Sequence, residues 1–119
     1  MDATEALTTF LRRALSERVD RYVQFASKAK TREKFLRAID HDLEACLDSS
    51  MAVPVLPPAA LDLPAFLYAP PKKFGLPVPA LRAVLESGND SFLAISRDGR
   101  AAVYSPEAYL DSRLCYFWP

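Results

Sequence analysis

Glycine is the first shortage in this chain. It has three, Gly75, Gly88 and Gly99, each isolated from the others. A loop that cradles a nucleotide's phosphates needs several glycines close together, because a backbone without Cβ lets successive N–H groups approach the anion. Nucleotide binding of that kind is not expected. Histidine is scarcer still, with His41 the only imidazole, so any triad or zinc site would have to use it. Cysteine stops at two, Cys46 and Cys115, far apart and in no CxxC arrangement. No GxSxG nucleophile motif is present. No apolar run approaches the ~18 residues of a membrane span. The acidic start Met1-Asp2-Ala3-Thr4-Glu5 reads as a helix beginning rather than a signal or transit peptide. Two unpaired thiols without a leader point to a reducing cytoplasm. Net charge is missing too, since fifteen basic groups balance fifteen acidic ones. A polyanion-binding protein usually carries a basic excess.

What is present suits a single α+β domain. A chain of 119 residues with 50% hydrophobic content buries roughly two thirds of its unfolded surface by the usual scaling, enough for a core without disulfides or metal. Arginine outnumbers lysine ten to five and alanine is abundant, a usage common in GC-rich bacterial genomes.

Composition divides the chain into three zones. Residues 1–50 contain neither Gly nor Pro and read as a helical hairpin. Leu7, Phe10, Leu11, Ala14, Leu15, Val19, Tyr22, Val23 and Ala26 recur on a 3.6-residue period, with Asp2 and Glu5 as a capping pair. Thr31 is the expected N-cap of a second helix, whose stripe is Phe35, Leu36, Ile39, Leu43, Cys46 and Leu47. A first helix from residue 3 to about 28 would be roughly 40 Å long, while a sphere of this chain length is about 35 Å across. Either that helix bends near Ser16, or it overhangs and its stripe meets a second copy. A homodimer with Phe10, Leu11 or Val19 at the contact is expected from the overhang.

Residues 51–79 hold eight of the ten prolines. They also carry Val53, Leu56, Leu63, Phe66, Leu67, Tyr68 and Phe74, too apolar for a flexible linker. An extended strap across the helices is expected, with one helical turn near Pro64–Tyr68. Residues 80–119 predict a two-turn helix from Pro79 to Gly88. An antiparallel hairpin around a two-residue Asp98-Gly99 turn follows, pairing Leu93 with Tyr104, Ala94 with Val103 and Ile95 with Ala102. A short helix from Ser105-Pro106 to about Leu110 and a third strand over Leu114–Trp118 would complete a small antiparallel meander.

The candidate chemistry is thin. Asp40-His41-Asp42 is suggestive, but His41 shares a polar helical face with Lys34, Arg37, Glu44 and Asp48, so it reads as a solvated surface histidine. Zinc from His41, Cys46 and Cys115 would need ligands from different faces. No cofactor, metal or catalytic residue is expected. From Arg12 to Arg37 lie nine basic residues, among them Lys28, Lys30, Arg32 and Lys34, against three acids, a local charge of +6. That basic face could touch phosphates, although acids follow at once at Asp40, Asp42, Glu44 and Asp48. Pro54-Val55-Leu56-Pro57 has PxxP spacing without a flanking basic residue. Trp118 could be an exposed aromatic anchor, with a core position favoured. The expected function is non-catalytic protein binding, as an adaptor, regulator or inhibitor. The alternative is a nucleic-acid-associated regulator using the Arg12–Arg37 face.

Overall fold

The computed structural model describes residues 1–86, 91–106 and 113–119. Its fold is α+β: a helical layer from the first zone packs on a five-stranded antiparallel sheet. Helix α1 (Ala3–Ala14) opens on the capping pair read from the sequence. The Glu5 N–H donates to Asp2 Oδ1 at 2.8 Å, and the Asp2 N–H donates back to Glu5 Oε1 at 3.4 Å.

The single long first helix does not form. The chain leaves α1 at Leu15 in extended geometry and restarts as α2 (Val19–Ser27) from Arg18, which sits at φ +56. Tertiary hydrogen bonds take over from the helical ladder. Ser16 N–H donates to the Cys46 carbonyl at 2.9 Å, and Asp48 N–H donates to the Ala14 carbonyl at 2.7 Å. The bend near Ser16 is therefore the correct alternative. No overhang exists in a body of 35 × 28 × 26 Å, and with it goes the length argument for a second copy.

Helices α3 (Arg32–His41) and α4 (Leu43–Cys46) bury the second stripe as its spacing predicts. Thr31 precedes α3 but makes no side-chain cap there. Its hydroxyl instead donates backwards to the Phe25 carbonyl at 2.9 Å, near the end of α2. The nominal start signal for one helix satisfies an orphan carbonyl of the previous one.

The Pro-rich zone corrects the strap expectation. Its helical turn is α5 (Pro58–Leu61), earlier than Pro64–Tyr68, and the rest is a hairpin of β1 (Ala65–Ala69) and β2 (Lys73–Val78). Five of its eight prolines stand at the ends, turns and edge of these elements, where a missing N–H does little harm. Pro58 opens α5, Pro64 precedes β1, Pro70 and Pro71 lie in the turn, and Pro77 is on β2 at the sheet edge. That placement leaves Ala65–Ala69 free to pair on both sides.

Gly75 is the extra residue of a bulge in β2: Leu67 faces Leu76 and Tyr68 faces Phe74, with nothing opposite Gly75. It sits at φ +68, and a Cβ there would stand 2.4 Å from Ala3 Cβ, so glycine is required on two counts.

Helix α6 (Leu81–Glu86) covers part of the expected two-turn helix; Gly88 and the Asn89-Asp90 turn lie outside the described residues. Strands β3 (Phe92–Ser96) and β4 (Ala101–Ser105) pair in the expected register. Their turn is wider than two residues. Gly99 takes φ +74 while Asp98 keeps a negative φ, so this is not a type I′ turn. The buried Ser96 explains the difference. Its hydroxyl donates to Asp98 Oδ1 at 2.6 Å and accepts from the N–H groups of Arg100 and Ala101. β5 (Leu114–Phe117) is the expected third strand of the meander. The predicted helix after Pro106 falls mostly outside the described residues. The sheet order is β2-β1-β3-β4-β5.

Candidate anion-binding cleft

Two helical faces with one spacing build a cleft between α2 and α3. From the α2 side come Arg18, Arg21, Tyr22 and Phe25; from α3 come Lys34, Arg37, Ala38 and His41. Both sets advance by three, one and three residues, which places each on a single helical stripe. Packing α2 against α3 sets the stripes face to face around a cleft of about 370 Å³, with Asp42 at its rim. The volume lies within the range of small-ligand sites.

The floor is aromatic and the walls are cationic. Tyr22 is buried and meets Phe25 edge-on at 6.3 Å. Phe25 in turn holds two cations close to its ring, the Arg21 guanidinium at 5.5 Å and the Lys34 ammonium at 5.8 Å. Such contacts contribute about 0.5–1 kcal/mol at exposed sites, and they fix where two flexible side chains spend their time. The Cys46 thiol donates to the Tyr22 hydroxyl at 3.8 Å. Burial raises the pKa of that hydroxyl, Cys46 and the charge of Asp42 add to the rise, and the neighbouring Arg18 opposes it. Arg18 lines the same cleft from its left-handed position.

Among the described residues, Arg18, Arg21 and Lys34 have no carboxylate within ion-pair distance. Arg37 meets Glu33 at 3.8 Å, with both side chains largely exposed, a pairing that water screens heavily. The cleft thus presents four permanent cations against one lining carboxylate. That is an arrangement able to bind an anion. His41 lies at the rim, 71% exposed and 3.8 Å from Asp40.

The residues singled out from sequence scatter. Of the expected contact residues Phe10, Leu11, Val19, Lys28, Lys30, Arg32, Lys34 and Trp118, Lys34 alone lines the cleft, where His41 and Asp42 also lie. Phe10 and Leu11 are fully buried, with Phe10 edge-on to Tyr116 at 5.3 Å and Trp118 at 6.0 Å. They cannot present a docking face without unfolding α1. Val19 is half-buried and packs on the same core. Lys28 and Lys30 are exposed at the α2–α3 corner. Arg32 turns inward, with Nη2 2.9 Å from Thr4 Oγ1 and its guanidinium 4.7 Å from the Phe74 ring centre. Trp118 stacks on Tyr116 at 5.7 Å and carries Arg13 at 5.3 Å, so it is a packing group rather than a free anchor. The signal that would have found the cleft is the matched spacing of residues 18, 21, 22, 25 and 34, 37, 38, 41, which a count of charges along the chain averages away.

Cys46 is buried, and burial raises the pKa of the half-buried Cys115. Among the described residues no group of three His, Cys, Asp or Glu side chains gathers closely enough to hold a metal ion, and no helix is long and apolar enough to cross a membrane. Comparison with protein-family models, curated proteins and solved structures found no match to this chain. The chemistry of the cleft therefore carries the functional argument alone.

Proposed function

We propose that this chain is a non-catalytic cytosolic binding protein, an adaptor, regulator or inhibitor, that grips an acidic segment of another protein in the α2–α3 cleft. The observation that carries the reading is the gathering of Arg18, Arg21, Lys34 and Arg37 in one concavity with a single carboxylate on its lining. Three arginines of four suit the planar, two-toothed recognition of carboxylates. The cleft's size favours a few side chains over a duplex. A nucleic-acid surface needs a track of cations along a backbone, and two of the nine basic residues from Arg12 to Arg37 are engaged elsewhere. Arg13 is spent on Trp118 and the Gly99 carbonyl, and Arg32 on Thr4 and Phe74.

The test is an NMR titration at ~50 mM salt with an oligo-glutamate peptide, beside a DNA duplex of similar charge. The peptide should shift the amides of α2 and α3, and the double variant Arg21→Glu/Lys34→Glu should weaken it by about tenfold or more with an unchanged circular dichroism spectrum. A duplex that binds with a log–log salt slope near −4 to −5, as about five phosphate contacts require, while the peptide does not, would replace this reading with the nucleic-acid one. Binding of neither would remove the cleft as a contact surface.

A further inference from the structure

We infer that the group the cleft is built to hold is a phosphomonoester on the partner's segment, an inference that rests on the protein-binding reading above. A single carboxylate carries one negative charge and two acceptor oxygens. A phosphomonoester carries nearly two charges and three acceptor oxygens. Four permanent cations facing one carboxylate exceed what a lone carboxylate can use and match the phosphoryl group, whose oxygens take several guanidinium and ammonium donors at once.

Two features preorganise those donors. The Phe25 ring holds Arg21 and Lys34 at 5.5 and 5.8 Å, so less side-chain freedom remains to be lost when the anion arrives. Arg18 supplies the second. It is the only non-glycine at positive φ among the described residues, in a region that disfavours side chains with a Cβ. An uncapped helix start there would favour Gly, Asn or Asp over Arg. A residue that is wrong for its backbone and right for its neighbours is characteristic of a binding position. Here the side chain lines the cleft beside Arg21 and Tyr22. A phosphodiester backbone is the weaker candidate, because each of its phosphates carries a single charge and the cations are clustered rather than strung out.

The experiment uses the full chain and three copies of one acidic peptide that differ at a central residue: phosphoserine, glutamate or serine. By calorimetry the phosphoserine peptide should bind about tenfold tighter than the glutamate peptide, with the serine peptide weakest. Arg18→Gly should remove most of that preference without lowering the melting temperature, since glycine relaxes the left-handed position. A merely structural arginine would show the reverse, a changed melting temperature with affinity intact. Lys28→Gln/Lys30→Gln, outside the cleft, should leave the preference in place. Equal binding of the phosphoserine and glutamate peptides would overturn the phosphate inference and leave the protein-binding reading standing. No binding by either would overturn both. A DNA duplex that displaces the phosphoserine peptide at the same salt and charge concentration would also overturn it, in favour of nucleic acid.

Discussion

The two faces of the sheet are built from different sizes of side chain. The face under α1 and α3 presents Phe66, Tyr68, Leu93, Ile95, Ala102, Tyr104 and Tyr116. The opposite face presents Ala65, Leu67, Ala69, Phe92, Ala94, Ala101 and Val103. Large groups on the first face fill the gap to a full helical layer. Alanines on the second leave room only for close, short cover, which α5 and α6 provide with Leu56, Ala60, Leu81 and Val84. The difference teaches that alternation along a strand specifies more than inside and outside. When both sides are buried, alternating bulk decides which side receives the main layer.

The comparison predicts unequal costs of truncation, and this is the largest effect expected. Phe10 is fully buried between the first face and Trp118, so Phe10→Ala should destabilise by about 3–5 kcal/mol. Val103→Ala removes two methyl groups from the second face, and should cost roughly 2 kcal/mol or less. Urea titrations of both variants check the ranking, and a larger loss at Val103 would mean that the thinner face carries the core.

Legibility of the chain follows the same division. Residues with strong local periodicity were readable: the capping pair at Asp2 and Glu5, the two helical stripes, and the pairing of Leu93 with Tyr104 and Ile95 with Ala102. The break at Leu15 was legible only through helix length, as one of two alternatives, because no Gly or Pro marks it and the Cys46 and Ala14 carbonyls that replace the ladder are distant in sequence or outside the pattern. β1 was hidden because every residue from Ala65 to Ala69 is buried, so it lacks the alternation of polarity that betrays a half-exposed strand. The prolines around it looked like a strap until their positions at strand ends and at the edge were known. The cleft was half legible. Its α3 face was visible as a polar stripe, whereas the α2 face was lost within an expected helix that ran straight through Arg18.

The turn that joins β3 to β4 gives a middle-sized effect. Gly99 keeps φ +74 although the turn is not the type that sequence suggested. Its substitution by a β-branched residue is therefore strained for a reason independent of turn type. Gly99→Val should destabilise by more than ~1 kcal/mol, and an unchanged thermal melt would show that the Ser96–Asp98 network can reshape the turn at no cost.

The smallest effect at neutral pH concerns the tyrosines, which among the described residues the first face has and the second lacks. Tyr68 donates to the Ala3 carbonyl, Tyr104 to Ile39 at 3.0 Å, and Tyr116 to Asp48 at 3.4 Å. Each hydroxyl thus ties a strand to the backbone of the helical layer. Removing one, as in Tyr104→Phe, should cost about 1 kcal/mol. Burial raises the pKa of all three hydroxyls, that of Tyr116 up to about 12. An unfolded tyrosine loses its proton near pH ~10. Above that pH the unfolded chain binds fewer protons than the folded one, so stability falls as pH rises. Below about pH 10 the three groups are protonated in both states, and their shifts leave stability independent of pH. Melting temperatures measured from about pH 7 to 11 should therefore drop on the alkaline side. The drop should be shallower in Tyr104→Phe, which has lost one of the three titrating groups, and unaltered in Val103→Ala on the other face. An equal alkaline slope in the parent and in Tyr104→Phe would show that this hydroxyl is as free to ionise in the fold as out of it, and would break the proposed link between the tyrosine face and the helical layer.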